Sequence, residues 1–308
     1  MSDIHPSAIV HPTASLAAGV RIGPYCVIGP HVTIQSGTEL RSHVVIESHT
    51  RIGQNCTLFQ FAVVGGTPQD RKYDGEVTWC EIGHRNHIRE HVTIHRGTGN
   101  GGGLTKIGNE NLVMVDAHLA HDVQVGDRCT IANNVMVAGH VVIEDDATLA
   151  GAVGVHHYVT IGRGAFIAGM ARVENDVPPY MTFGESSKGA RFIPNITGMK
   201  RHGFSETTLR AIREVHRVLW GRRSERRDAQ LAGHGGLGGP GGSNESLFDR
   251  IAALRTEFAA IQPAVELLDA YARSLNGVKG RAHERHRRDD KHAAVARTAG
   301  AASVESSA

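Results

Sequence analysis

The sequence predicts a solenoid of short parallel β-strands with triangular coils, followed by a small α-helical region. Three observations support this fold class. An aliphatic residue returns at every sixth position over more than half of the chain. Aromatic residues make up only 5% of a chain that contains 37 glycines, and helical spacing of apolar residues begins only after Val173. A period of six suits neither an α-helix nor an alternating strand, so each hexad of residues is predicted to form one side of a coil.

The first position of the hexads forms the predicted core. It is Ile, Leu or Val at every sixth residue from Ile4 to Val64, from Ile82 to Ile94 and from Ile107 to Val173. Such regular return indicates a repeat fold in which three hexads, or 18 residues, make one coil. The fifth position is mostly small, and three of the four cysteines lie there as predicted core residues: Cys26, Cys56 and Cys129.

The fourth position is often Gly, Asn, Asp or His. These residue types tolerate positive φ better than most, as a sharp corner between two sides of a coil requires. Much of the high histidine content is therefore predicted to be structural, and four histidines fit this corner position: His31, His43, His49 and His91.

Two segments within the predicted β-helix of residues 1–180 lack hexads. They span residues 66–80 and 97–106, and they are predicted to be loops projecting from the coils. Loops held on a rigid scaffold commonly carry function. The sequence NDVPPY at 175–180 ends the repeat because proline cannot donate to a strand ladder.

The remaining chain is predicted to form a helical domain over residues 181–280. Two apolar stripes with helical spacing flank a glycine-rich segment at 233–243, whose composition is typical of a flexible linker. Residues 281–308 are charged and then rich in Ala and Ser, and they are predicted to be a disordered tail.

Composition excludes several classes of protein. The formal net charge is only +2 and there is no apolar run of 18 residues, so neither a nucleic-acid partner nor a membrane span is expected. The N-terminal residues lack the features of a signal peptide, which favours a cytoplasmic location. The four cysteines show no CxxC spacing, so we expect no structural zinc, no disulfide scaffold and no cofactor.

Residues 18 positions apart are predicted to stack about 4.8 Å apart in neighbouring coils. Several polar residues are related by this spacing and therefore form a predicted cluster. Asp122 and His140 are fourth residues of hexads 18 apart, and His118 lies just around the corner from them. Beside that pair, one column contains three third-position residues: His121, Gly139 and His157.

The residue types in this cluster suit acyl transfer to an alcohol. A histidine such as His121 can act as a general base, and an adjacent carboxylate can orient its ring. The backbone N–H of Gly139 can donate to a developing oxyanion. No Ser or Cys has matching spacing, which favours direct attack by a substrate hydroxyl. From spacing alone, a solvated face of the solenoid remains the alternative.

Specific motifs add a family resemblance over roughly residues 1–280. They are QDRKY in the first loop, IHRGT at 94–98, GGGLTKIG at 101–108, AHLAHD at 117–122, ANNVMVAGHV at 132–141, DVPPY at 176–180, NITGMKRHGF at 195–204 and YARS at 271–274. In these motifs the chain resembles the UDP-N-acetylglucosamine acyltransferases of lipid A biosynthesis. The resemblance implies a left-handed parallel β-helix with a C-terminal helical domain, and a homotrimer with active sites between subunits. It implies transfer of an (R)-3-hydroxyacyl group from acyl carrier protein to the glucosamine 3-hydroxyl.

The same resemblance implies roles for individual residues. His121 matches the general base, Asp122 its acidic partner, and Gly139 the residue whose N–H forms the oxyanion hole. Other matches bind the sugar (Asp70 and His118), line the cleft (Lys72, His95 and His140) or contact the nucleotide (Asn195 and Arg201).

Some positions depart from the family pattern. His157 follows His156 where the family usually has His-Gln, which can alter a sugar contact. Thr197 stands where an acidic residue often contacts uridine, and His202 replaces an arginine. Gly169 matches the position that limits acyl length, where a glycine favours a chain of about 14 carbons over one of about 10.

Three alternatives remain open at this point. A zinc carbonic anhydrase also uses a β-helix and histidines between subunits, and metal analysis distinguishes it. A non-catalytic solenoid would not require His121. An N-acyltransferase acting on a UDP-3-amino sugar is a closely related enzyme and is harder to exclude, and Asp70 favours the hydroxyl substrate through its family association.

Overall fold

A computed structural model describes residues 2–186, 189–221 and 247–276. Most of it is a triangular prism formed by three sheets of very short strands, which the chain visits in the order A, B, C in each coil. The predicted glycine-rich linker at 233–243 and the predicted tail at 281–308 lie outside the described residues.

The three sheets run along the length of the prism. Sheet A contains β1 Asp3–Ile4, β4 Arg21–Ile22, β7 Glu39–Leu40, β10 Thr57–Leu58, β13 His87–Ile88, β16 Leu112–Val113, β19 Thr130–Ile131, β22 Thr148–Leu149, β25 Phe166–Ile167, β27 Met181–Ser186 and β28 Gly189–Pro194. Sheet B contains β2 Ile9–Val10, β5 Val27–Ile28, β8 Val45–Ile46, β11 Val63–Gly66, β14 Thr93–His95, β17 His118–Leu119, β20 Met136–Val137, β23 Gly154–Val155 and β26 Arg172–Val173. Sheet C contains β3 Ser15–Leu16, β6 Thr33–Ile34, β9 Thr50–Ile52, β12 Trp79–Ile82, β15 Leu104–Ile107, β18 Gln124–Val125, β21 Val142–Ile143 and β24 Thr160–Ile161.

The strand register confirms the period predicted from sequence. In sheet A, Ile4 pairs with Ile22, and in sheet B, Val10 pairs with Ile28, so neighbouring coils are 18 residues apart. The predicted core position ends every coil strand except β11 and β14, which continue beyond it, and it is buried from Ile22 onward. Ile4 remains 40% exposed because it lies in the first coil, which has a neighbour on one side only.

The corners of the prism also follow the prediction. His31, His43, His49 and His91 have φ values between 54° and 62°, in the left-handed region. We name each corner by the two sheets that it joins, in chain order: the A/B, B/C and C/A corners.

All four cysteines are buried in the core.

Both segments without hexads leave the prism at the B/C corner, but they are shorter than the sequence suggested. β11 continues to Gly66 and β12 begins at Trp79, while β15 begins at Leu104. The loops are therefore residues 67–78 and 96–103, and the second contains a 3-10 turn at Gly99–Gly101. Backbone hydrogen bonds from Trp79 to Gly103 and from Gly97 to Trp79 draw the ends of both segments into sheet C.

The C-terminal part begins with a hairpin rather than with a helix. β27 pairs in parallel with β25 and antiparallel with β28, which extends sheet A beyond residue 180. The helices follow as α1 Ile196–Arg201, α2 Glu206–His216 with a π-helical extension at Arg217–Gly221, α3 Leu247–Glu257 and α4 Gln262–Asn276. Tyr180 at the end of the prism donates a hydrogen bond to Glu266 of α4. None of the described helices is long and apolar enough to cross a membrane.

Candidate active site

The B/C corner brings together most of the predicted site residues. Both loops leave the prism there, after β11 and β14. In the following three coils the same corner carries His121, Gly139 and His157, as the spacing predicted. The next residue in each of these coils has positive φ, with values of 60° for Asp122, 63° for His140 and 64° for Tyr158. The tight corner therefore places these residues of consecutive coils beside one another at one edge of the prism.

His121 and Asp122 form a hydrogen-bonded pair. The His121 Nδ1 lies 2.8 Å from Oδ2 of Asp122, whose side chain is only 1% exposed. A carboxylate at Nδ1 favours the tautomer in which that nitrogen carries the proton, which leaves the His121 Nε2 as the basic atom.

Two threonines that the sequence analysis missed surround Asp122. The Thr98 N–H donates to Oδ1 at 2.9 Å and the Thr98 hydroxyl donates to Oδ2 at 2.7 Å. The Thr105 hydroxyl accepts the backbone N–H of Asp122 at 2.7 Å. Thr98 lies in the 96–103 loop, outside the repeat, so no spacing rule connects it with Asp122.

Gly139 lies directly against the ring of His121. A Cβ added to Gly139 would lie 2.5 Å from Cε1 and 2.7 Å from Nε2 of His121, so only glycine fits here without displacing the ring. The Gly139 N–H has no acceptor within the described part of the chain. It is therefore suitably placed to donate to a substrate oxygen beside Nε2.

His140 completes the inner part of the cluster. Its Nδ1 lies 3.7 Å from the Asp122 Oδ2, its ring meets that of His121 edge-on, and it stacks on Tyr158 with centroids 4.5 Å apart. One ligand atom from each of His121, Asp122 and His140 lies within 4.8 Å of the others. This spacing is compatible with a transition-metal ion, so the zinc alternative keeps a structural basis.

His95 and His118 form the wall next to His121. Their ring centroids are 4.8 Å apart, and the Nδ1 of His118 shares a hydrogen bond of 2.7 Å with Thr93 Oγ1. Burial, with smaller contributions from His118 and His121, lowers the pKa of His95 to about 4. Burial and His121 also lower the pKa of His118. Both rings are therefore neutral at pH 7, and the buried Nδ1 of His95 has no hydrogen-bond partner among the described residues.

Asp70 and Lys72 lie in the 67–78 loop at the same corner. The Asp70 Oδ1 accepts the N–H of Lys72 at 3.0 Å, which forms a tight turn. Arg96, a buried residue, donates to the Gly65 carbonyl of β11 at 2.9 Å and holds this loop by donating to the Tyr73 hydroxyl at 3.2 Å. The outer part of the cluster is formed by His156 and His157, whose ring centroids are 3.9 Å apart.

The remaining predicted residues lie at other corners. Asn195 and Arg201 line a cavity of about 430 Å³ between α1 and sheet A, at the C/A corner, with Thr197 and His202. The Asn195 side chain caps α1 by accepting the Gly198 N–H, and it donates to the Gly164 carbonyl. Gly169 lies at the A/B corner, where an added Cβ would be 3.3 Å from the Gly151 carbonyl oxygen. A single chain thus does not bring these residues to His121.

Two family models match parts of the chain. Residues 176–235 match the family model for domain 2 of UDP N-acetylglucosamine O-acyltransferase. Residues 2–36 and 104–139 match the model of the bacterial transferase hexapeptide repeat.

Solved structures match almost the whole chain. LpxA from Acinetobacter baumannii is 41% identical with a TM-score of 0.77, and the match covers 88% of this chain and 97% of that one. The UDP-N-acetylglucosamine O-acyltransferase (LpxA) from Moraxella catarrhalis is 38% identical, with coverage of 88% and 97% and a TM-score of 0.74. The UDP-N-acetylglucosamine acyltransferase from Francisella novicida is 37% identical, with coverage of 86% and 90% and a TM-score of 0.75. These similarities identify the prism as a left-handed parallel β-helix.

Proposed function

The chain belongs to the UDP-N-acetylglucosamine O-acyltransferase family and is an acyltransferase, and from this premise we propose its donor, acceptor and catalytic base. It transfers an (R)-3-hydroxyacyl group from acyl carrier protein to the glucosamine 3-hydroxyl of UDP-N-acetylglucosamine. The observation that supports this proposal most strongly is the His121–Asp122 pair, with the open Gly139 N–H against the same ring.

The proposed reaction requires no acyl-enzyme. The His121 Nε2 removes the proton of the sugar 3-hydroxyl as its oxygen attacks the thioester carbonyl carbon. Negative charge then develops on the carbonyl oxygen, where the Gly139 N–H donates a hydrogen bond. The C–S bond breaks as the intermediate collapses, and the imidazolium gives its proton to the departing thiolate sulfur, which leaves as the thiol of the carrier protein. Asp122 stabilises the positive charge on His121 throughout these steps.

The neutral histidines beside the base suit recognition of the sugar. His95 and His118 are uncharged, so their rings can hydrogen-bond to the sugar without competing for the transferred proton. Because the His118 Nδ1 is bonded to Thr93, His118 offers its Nε2 for this purpose. Asp70 and Lys72, together with His140, His156 and His157, extend this surface outward along the B/C corner. We assign these residues to binding of the sugar and the acyl donor.

A homotrimer would unite the two separated parts of the site. His121 lies at the B/C corner, whereas Asn195 and Arg201 lie at the C/A corner of the same chain. A neighbouring subunit can bring its own C/A corner to the first subunit's B/C corner. The outer face of sheet B supports such contact because it exposes apolar side chains: Ile9, Val27 and Met136.

Co-expression of two inactive variants tests the shared site. If His121 and Arg201 of one site come from different subunits, then trimers of mixed His121→Ala and Arg201→Ala chains contain some intact sites. With equal, random mixing, about one quarter of the sites recover both residues. If mixing restores no activity while the trimers are intact, both residues of a site belong to the same subunit.

Gly169 is assigned to selection of acyl length. The absent side chain leaves room beside the Gly151 carbonyl, and we expect the wild-type protein to prefer donors of about 14 carbons. Gly169→Met is expected to shift this preference to shorter chains. If the variant retains the wild-type profile across a donor series, Gly169 does not limit the acyl slot.

The reaction itself is tested with purified wild-type protein. The acceptors are UDP-N-acetylglucosamine and its 3-amino analogue, the donors are (R)-3-hydroxyacyl carrier proteins of several lengths, and mass spectrometry identifies the products. An ester on the 3-hydroxyl supports the proposal, whereas acylation of the amino analogue alone favours the N-acyltransferase. If folded protein acylates neither acceptor, the proposal is refuted. Stoichiometric zinc with carbon dioxide hydration would instead favour the carbonic anhydrase alternative.

A further inference from the structure

Thr98 binds both oxygens of Asp122 but makes no contact with the reacting atoms in the proposed chemistry. Its N–H donates to Oδ1 and its hydroxyl to Oδ2, at 2.9 Å and 2.7 Å. Thr98 itself is 1% exposed, so these bonds are shielded from water. The hydroxyl shares Oδ2 with the His121 Nδ1, and two donors therefore converge on one oxygen.

This arrangement fixes the carboxylate in one orientation. A carboxylate buried without donors is costly, and one held by a single donor can rotate about its Cβ–Cγ bond. Two donors from Thr98, on different oxygens, prevent that rotation and direct Oδ2 at His121. The orientation of Asp122 in turn keeps the proton of His121 on Nδ1, so Nε2 remains available as the base.

The 96–103 loop holds Thr98 in place and closes over Asp122. The Thr98 carbonyl accepts the N–H groups of Gly101 at 3.0 Å and Gly103 at 2.8 Å. Gly101 passes so close that an added Cβ would lie 2.0 Å from Cγ of Asp122. The loop backbone therefore occupies the side of Asp122 from which water would otherwise approach.

The two loops are also joined to each other. The Gly99 N–H donates to Oε1 of Glu76 at 2.7 Å, and Glu76 belongs to the 67–78 loop that carries Asp70 and Lys72. The 67–78 loop is thus bonded to Gly99, the residue that directly follows Thr98, and Thr98 in turn bonds to the partner of the base.

We propose that Thr98 is a positioning residue that, with the 96–103 loop, holds Asp122 against His121 and excludes water from the carboxylate. The proposal rests on the proposed function for its kinetic consequence, but the geometry of His121 has a readout of its own. The Thr98 hydroxyl also accepts the Gly101 N–H at 3.2 Å, which ties it to the same loop, and in this proposal its effect on catalysis passes through Asp122.

Thr98→Val removes the hydroxyl while keeping the side-chain shape. A hydrogen bond to a charged group is lost, and kcat is expected to fall about 10- to 100-fold with little change in the KM for UDP-N-acetylglucosamine. Thr98→Ser restores the donor and should retain most of the wild-type kcat. Gly101→Ala forces the carboxylate to move and should reproduce the Thr98→Val effect. The matched control is Thr38→Val, because Thr38 is also buried and makes two hydrogen bonds far from the site. It should lower stability without lowering kcat of the folded protein.

A double-mutant cycle separates positioning from a general structural role. In an Asp122→Ala background, Thr98→Val should cause no further loss of kcat, because the group that Thr98 positions is absent. An additive loss in that background, or a wild-type kcat in the single variant, would overturn the proposal.

A spectroscopic readout makes the test independent of activity. In protein labelled with ¹⁵N-histidine, the His121 resonances are identified by their absence in His121→Ala. They should report a proton on Nδ1 in wild type and a mixture of tautomers in Thr98→Val. Unchanged tautomers in the variant would refute the positioning role even if the wild-type protein showed no acyl transfer. A tautomer change without activity in any protein would instead refute the proposed function alone.

Discussion

Replacement of Gly139 by alanine should disable the site through a single methyl group. The added Cβ would lie 2.5 Å from Cε1, 2.7 Å from Nε2 and 3.0 Å from Nδ1 of His121. Gly139 has an ordinary φ, so alanine fits its backbone, and the N–H proposed for the oxyanion hole is kept. Any loss of activity therefore reports on the position of the His121 ring.

The size of the effect follows from these distances. Unstrained carbon contacts lie at about 3.5–4.0 Å, so the ring must retreat by about 1 Å. The Gly139 backbone cannot retreat instead, because its carbonyl accepts the Tyr158 N–H at 3.2 Å in the next coil. A displacement of about 1 Å at a reacting group can cost about 100-fold in rate. We therefore expect kcat/KM to fall about 100-fold, while the free energy of unfolding falls by only about 1 kcal/mol.

The assay is steady-state acyl transfer, with chemical denaturation to verify the fold. Gly154→Ala is the control, because Gly154 lies in β23 on the next coil and an added Cβ there meets nothing within 4 Å. Gly154→Ala should behave as wild type in both measurements. If Gly139→Ala retains more than half of the wild-type kcat/KM, the close approach does not fix the base, and the reasoning from this geometry is wrong.

Two further predictions concern stability. Burial lowers the pKa of His95 to about 4, so the folded protein favours the neutral ring. The contribution of His95 to the free energy of unfolding is therefore fully present above a pH of about 6.5, the pKa expected in the unfolded chain, and it is lost as the pH falls towards 4. Urea unfolding at several pH values should show that the free energy of unfolding of His95→Gln falls by up to about 3 kcal/mol less than that of wild type over this range. An equal fall in both proteins would contradict the lowered pKa of His95. Asn111 is buried, donates to the Gly126 carbonyl and accepts the Cys129 N–H, so Asn111→Leu leaves two buried backbone groups without partners. The free energy of unfolding should fall by at least about 2 kcal/mol at pH 7, and a neutral effect would show that the coil relaxes around leucine.

The regular part of the fold could be predicted because one physical requirement repeats without interruption. Each hexad must bury one branched aliphatic side chain, so the positions of Ile22 and Val173 reveal the strands that contain them. The same arithmetic predicted that His121, Gly139 and His157 share a corner, since coil stacking fixes which residues are neighbours.

The parts outside the repeat could not be predicted in this way. Thr98 reaches Asp122 from a loop whose path is set by glycines and backbone hydrogen bonds, and no period relates the two residues. The predicted limits of the two loops were wrong for the same reason. Trp79 and Leu104 are paired residues of β12 and β15, but neither occupies the core position of a hexad. The positions of Asn195 and Arg201 depend on how α1 packs against sheet A, which the spacing of apolar residues does not specify.

The most direct test of the proposed mechanism compares acyl transfer by wild type and His121→Ala under identical conditions. His43→Ala serves as the matched control, since His43 is a corner histidine stacked between Tyr25 and Phe61 at the A/B corner. If His121 is the base, wild type and His43→Ala form the ester product, and His121→Ala loses at least about 100-fold in kcat while remaining folded. An equally active His121→Ala protein would contradict the assignment of the base and, with it, the catalytic role proposed for the B/C corner.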